Sequence, residues 1–183
     1  MGTLLQLVPF YKLVAHRYSV YWNVYSEAEW EKRKSDIAAA AVYRKEIERR
    51  TIDVVGIGHK QNESDHRFQG ERTNAGHAEG KAWRDANEGG WFGYALKLMP
   101  DQPVTLLCSY WGSDFGSRVF DILVDGEKVA TQTLDNNKPG EFFDVEYRLP
   151  ERLTRGKQRV IVKFQAHPKA MAGGVFDVRM IKQ

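Results

Sequence analysis

Four things are scarce in this chain, and each scarcity removes a class of function. Cysteine occurs once, at Cys108, so no intrachain disulfide can form and no cysteine-based zinc site can be assembled. Net charge is small. The 27 Lys and Arg against 24 Asp and Glu leave +3 over 183 residues, and the two signs are interleaved rather than gathered into a stripe, so no nucleic-acid partner is expected. No apolar run is long enough for a bilayer-spanning helix, no membrane partner is expected, and Met1-Gly2-Thr3 opens no leader of basic then apolar residues. Beyond Thr51 there is no convincing helical pattern, no internal repeat and no low-complexity tract.

What is present is aromatic and β-patterned. Aromatic residues make up 12% of the chain, which suits a β-rich fold or a sugar-binding surface. The organising stretch is Pro103 to Leu134. It reads as three strands: Val104 to Ser109, Val119 to Val124 and Lys128 to Leu134, the last two joined by an Asp125-Gly126 turn. Cys108 alternates in phase with Val104 and Leu106 and is expected as a buried, inert thiol. Tyr110-Trp111-Gly112-Ser113-Asp114 sets aromatic and acidic groups side by side in a loop, the first place to look for function.

Ahead of this, Leu4 to Tyr25 is strongly apolar and aromatic, with strands expected near Leu5 to Val8 and over Tyr18 to Val24. So abrupt a β opening suggests the last strands of a preceding β domain, and hence a piece of a longer chain. Ser26 to Arg50 is the clearest helix. Ser26 stands three residues before Glu29, the spacing of a capping box, and acids crowd the start while bases crowd the end. Trp30, Ile37, Ala41 and Ile47 give it a modest apolar stripe, as in a surface connector. The expected division is therefore 1–25 terminal strands, 26–50 connector helix and 51–183 sandwich.

Thr51 to Gly58 reads as a strand and Asn62 to Gly80 as a polar, turn-rich loop. His59, Glu63, Asp65, His66, Glu71 and His77 fall in or beside that loop, but their spacing matches no standard metal motif, and no metal site is assigned. Asp85 to Gly90 reads as a turn and Trp91 to Leu98 as a strand. Further strands are expected over Glu141–Tyr147, Arg159–Ala166 and Val175–Ile181. About eight short strands with frequent turns predict a mainly β protein, an antiparallel β-sandwich of jelly-roll type, preceded by a strand pair and one long helix.

The stretches VPFYKLVAHRYSVYW, NESDHRFQGE, WRDANEGGWFGYALKL, TLLCSYWGSDFGSRVFDILVDGEKVATQTL and FFDVEYRLPERLTRGKQRVIVKFQAHPKAMAGGVFDVR resemble the C-terminal region of bacterial family-127-type glycoside hydrolases, the β-L-arabinofuranosidase-like proteins. The resemblance implies a β-sandwich that follows an (α/α)6 catalytic barrel, which becomes the expected partner within one parent chain. It also implies a periplasmic or extracellular location and arabinose-containing glycans as ligands. Known members of that family hold a zinc with three cysteines and a glutamate. This chain has Cys108 alone, so no catalytic residue is carried over and the chemistry lies elsewhere in the parent enzyme. No cofactor is implied; the residues leave open whether a calcium ion stabilises the sandwich.

The leading expectation is thus a non-catalytic accessory module that binds carbohydrate or braces the catalytic barrel. Sugar binding needs an aromatic face for the ring and polar groups for the hydroxyls. Trp83, Arg84, Asp85, Trp91, Trp111 and Asp114 are the right types, with Arg84 and Asp85 as a pair for two hydroxyls. Trp91 and Trp111, each at a strand end, taken singly read first as core residues. Two other readings stand beside this one: a protein-interaction module pairing through a sheet edge, and an independent glycosidase using two of Glu63, Asp65, Asp85 and Asp114.

Overall fold

The structure is a computed structural model that describes residues 23–100 and 102–183. It divides into two compact units, residues 1–42 and 43–183. Apart from Asn23, Val24 and Tyr25, which take no regular structure, the strand pair expected at the start lies outside the described residues.

In the first unit runs the start of helix α1 (Glu27–Arg50), closed by the expected capping box. The Ser26 amide donates to Glu29 Oε2 at 2.7 Å, and the Glu29 amide donates to Ser26 Oγ at 3.3 Å. In the second unit the last two turns of α1 lie against a sheet. Ile47 is buried there with Leu107 and Ile181 in a small apolar cluster of its own. Tyr43 donates its hydroxyl to Asp144 at 2.8 Å, and Arg50 reaches both oxygens of Glu146 and the Lys182 carbonyl.

The rest of the second unit is antiparallel β. Its elements are β1 (Thr51–Val55), α2 (Lys60–Asp65), β2 (Gln69–Ala78), β3 (Lys81–Lys97), β4 (Val104–Trp111), β5 (Arg118–Val124), β6 (Glu127–Leu134), β7 (Phe142–Arg148), α3 (Glu151–Thr154), β8 (Arg159–Ala166) and β9 (Met171–Lys182). The strands run in the order β6-β5-β8-β3-β9-β4-β7, with β1 added on β9 and β2 on β3. This is the expected antiparallel β-sandwich, closed nearly into a barrel. The ends of the path meet through side chains: Tyr147 on β7 donates to Gln132 on β6 at 2.6 Å and lies 3.0 Å from the Tyr110 hydroxyl.

The chain beyond Thr51, expected without helix, holds the short helices α2 and α3, and two further segments differ from expectation. The polar stretch 62–80, expected as loop, contains the ten-residue strand β2, because a strand open along one side needs no apolar alternation to be stable. The expected turn at Asp85–Gly90 is instead a bend within one continuous strand. Glu88 (φ 49°) and Gly89 (φ 75°) take left-handed backbone there, so β3 changes direction without reversing. Its first half pairs with β9 and its second half with β8, which carries one strand from one layer of the sandwich to the other. The Asp125-Gly126 turn is as expected, both residues having positive φ in a two-residue hairpin.

The core lies between the layers. Phe92, Tyr94 and Leu96 of β3 face Phe120 and Ile122 of β5, Val162 and Phe164 of β8, Leu106, Cys108 and Tyr110 of β4, and Val178 and Met180 of β9. Phe92 and Phe164 stack at 4.9 Å between ring centres. Cys108 is fully buried, and burial pushes its thiol well above the ordinary range.

Candidate functional site

Successive residues of a strand point to opposite faces, and that alternation sorts the candidates on β3. Trp83 and Asp85 share the face that lines a cleft, and Arg84 takes the opposite face, although Asp85 and Arg84 are both buried. On the inner side Arg84 forms a two-pronged ion pair with Glu63, Nε to Oε1 at 2.9 Å and the terminal nitrogen to Oε2 at 2.8 Å. Tyr94 donates to the same carboxylate at 2.9 Å, and the guanidinium lies 4.1 Å from the ring centre of Phe68. Burial would raise the Glu63 pKa, but the hydrogen bonds from Arg84 and Tyr94 hold it below the ordinary range. Arg84 therefore ties α2 to the interior and cannot share hydroxyls with Asp85, contrary to the pairing expected from their adjacency.

Trp91 is also set apart. It lies beyond the bend of β3, with the Lys163 ammonium 4.3 Å from its ring centre, and it does not line the cleft that the other candidates share. The other residues once considered for metal are likewise engaged or dispersed. His66 is bonded through its two ring nitrogens to the Asn62 carbonyl and to Asp53.

The remaining four candidates converge. Trp83, Asp85, Trp111 and Asp114 line one cleft of about 270 Å³ together with Ala78, Arg118, Gly174 and Phe176. Three local features build it. Gly76, opposite Trp83 on β2, has no side chain, and a Cβ there would stand 2.6 Å from the indole; the ring is thus laid flat on the strand. Trp111 ends β4 and packs on Phe142 at 4.8 Å, which packs in turn on Phe176 at 4.9 Å. Gly112 then lets the chain cross the 138–141 segment so closely that a Cβ would meet the Lys138 carbonyl oxygen at 1.9 Å. The Gly112 amide donates to the Glu141 carbonyl at 2.8 Å across that crossing.

The polar groups are held by the backbone and by one another. Arg118 donates to the Gly173 carbonyl at 2.7 Å and to the Phe115 carbonyl at 3.3 Å, and lies 3.4 Å from Asp114 Oδ1. Asn74 donates to Asp85 Oδ1 at 3.1 Å. Asp114 Oδ2 is buried with no hydrogen-bond partner among the described residues. Burial raises the Asp114 pKa and the nearby Asp85 charge adds to it, against the lowering effect of Arg118 and the Gly174 amide. Arg118 also borders a second, wider cleft of about 680 Å³ with Arg72, Lys169 and Phe115 on its rim. Arg118 and Phe176 were not legible as site residues: Phe176 comes beside the tryptophans through the pairing of β9 with β3 and β4, and Arg118, at the start of β5, through its bond to the Gly173 carbonyl on β9.

A rigid aromatic trough with fixed carboxylates can hold a polyhydroxylated ring, apolar face to the indoles and hydroxyls to the acids.

Comparison with known proteins bears on this geometry. The model of a family of unknown function, DUF6805, matches residues 46–181. None of the curated proteins compared matches the sequence. Among solved structures, a family 35 carbohydrate-binding module from Clostridium thermocellum superposes with a TM-score of 0.50 at 10% identity, over 63% of this chain and 92% of that one. A CBM35 from Paenibacillus barcinonensis gives 0.48 at 10% identity, over 63% and 93%. The CBM6cm-2 module of Cellvibrio mixtus lichenase 5A, solved with cellotriose, gives 0.47 at 9% identity, over 73% and 98%. The first of these likenesses is one of fold.

Proposed function

Starting from a chain that belongs to the DUF6805 family, we propose that it is a non-catalytic carbohydrate-binding module of a glycoside hydrolase of the family-127 type. Its sugar site is the cleft between Trp83, Trp111 and Phe176. The observation that carries the reading is the convergence of two indoles and a phenyl ring around Asp85, Asp114 and Arg118 in a cleft of about 270 Å³. The sandwich fold, which this chain shares with a carbohydrate-binding module, supports it. In this reading α1 is the connector, and the parent enzyme acts outside the cytoplasm on arabinose-containing glycans.

The test is tryptophan fluorescence titrated with arabinan oligosaccharides. A saturable change is expected. It should weaken roughly tenfold or more in Trp83→Ala and Trp111→Ala variants that keep the wild-type circular dichroism, as expected for loss of a stacking aromatic. A flat titration with arabinan, galactan and xylan fragments alike would end the carbohydrate reading and favour a structural brace.

A further inference from the structure

The charge of the cleft restricts which sugars it can take. This inference rests on the carbohydrate-binding reading above. Two carboxylates, Asp85 and Asp114, line the cleft against a single guanidinium. That guanidinium is already committed: Arg118 faces the Gly173 and Phe115 carbonyls and Asp114. The Lys81 ammonium is not among the groups lining the cleft and lies 4.1 Å from the centre of the Phe142 ring. Asp85 uses one oxygen for Asn74, and its other oxygen accepts no hydrogen bond from a described residue, so it is free to take a hydroxyl proton. Asp114 keeps a buried oxygen without a donor, and its charge is already disfavoured by burial and by Asp85. A further negative charge brought into this trough would meet two carboxylates with no uncommitted cation to offset it.

We infer that the cleft selects uncharged sugar rings and turns away uronates, with Asp85 accepting a ligand hydroxyl and Asp114 acting as the specificity-determining charge. The cationic rim of the neighbouring cleft, Arg72 and Lys169, lies outside this selection. A measurement must therefore separate the two clefts.

Titration calorimetry of the full chain provides that separation. Neutral arabino-, galacto- and gluco-configured oligosaccharides are compared with galacturonate and glucuronate oligomers of the same length. Each is run on wild type and on Trp83→Ala, so that only binding lost with the indole is assigned to the aromatic cleft. Neutral ligands are expected to show Trp83-dependent binding, and uronates to bind there at least about tenfold more weakly. Asp114→Asn, which keeps the side-chain size, should narrow that gap. Should Trp83→Ala not fold, Asp85→Asn serves in its place, with neutral-ligand affinity expected to fall. Trp83-dependent uronate binding as tight as that of the neutral counterpart would overturn the selection while leaving the carbohydrate-binding function intact. Absence of Trp83-dependent binding for every sugar would remove both.

Discussion

Two side chains and one missing side chain do work that their neighbours cannot replace. The Glu63–Arg84 pair is buried and doubly hydrogen-bonded, and removing one member leaves the other charge uncompensated. Glu63→Gln is expected to lose about 3–5 kcal/mol at neutral pH, read from the urea midpoint. The pair also sets an acid limb. The Glu63 pKa is lowered in the folded state, so its contribution is present above the unfolded value of about 4.3 and is lost as pH falls through the folded one. As pH falls below about 5, the wild-type midpoint should drop more steeply than that of Glu63→Gln. Asp114 has the opposite sign: its pKa is raised, so its contribution is largest in acid and is lost as pH rises through the folded value. Gly112 is fixed by space rather than charge. Gly112→Ala forces a methyl to within 1.9 Å of a carbonyl oxygen unless the chain moves. That variant should lose about 2 kcal/mol or more and dull the response of Trp111 to sugar, checked by urea melts and by fluorescence titration.

At the level of elements, the sequence was informative where each strand has one wet face. Val119–Val124 and its Asp125-Gly126 turn, Arg159–Ala166 and the capping box at Ser26 were all legible, because alternation, turn chemistry and capping act within a few residues. β2 was not, since its open edge asks for no apolar pattern. The bend of β3 reads as a turn in the sequence because Glu88-Gly89-Gly90 carries the same chemistry as a reversal. The site was half legible for the same reason. Aromatic and acidic residue types marked Trp83, Asp85, Trp111 and Asp114, but whether Arg84 joins them depends on which face it takes, Phe176 arrives through strand pairing, and Arg118 through its bond to the Gly173 carbonyl. The last turn of α1 yields a prediction at this scale. Among the described residues, the buried cluster around Ile47 holds just Leu107 and Ile181 besides it, so Ile47→Ala is expected to cost about 2 kcal/mol, the low end for a buried isoleucine. Amide exchange should quicken in Tyr43–Arg50 before it does in β3 or β8.

At the scale of the whole molecule, the seven-strand path closes through Tyr147 rather than through a ladder of backbone bonds. Tyr147→Phe leaves Gln132 and Tyr110 short of a partner. It should lower stability by about 1–3 kcal/mol with an unchanged urea slope, since the same surface is exposed on unfolding.

Closure at one seam leaves another open. Among the described residues β2 pairs with β3 alone, and the amides and carbonyls along its outer edge invite a second molecule to zip alongside. Its middle answers that invitation: the register slips between Glu71 and Thr73, and Arg72 sits there in left-handed backbone with an acid beside it. A strand broken and charged at its centre makes a poor template for fibril growth, so the twist at Arg72 guards the protein against aggregation at high concentration.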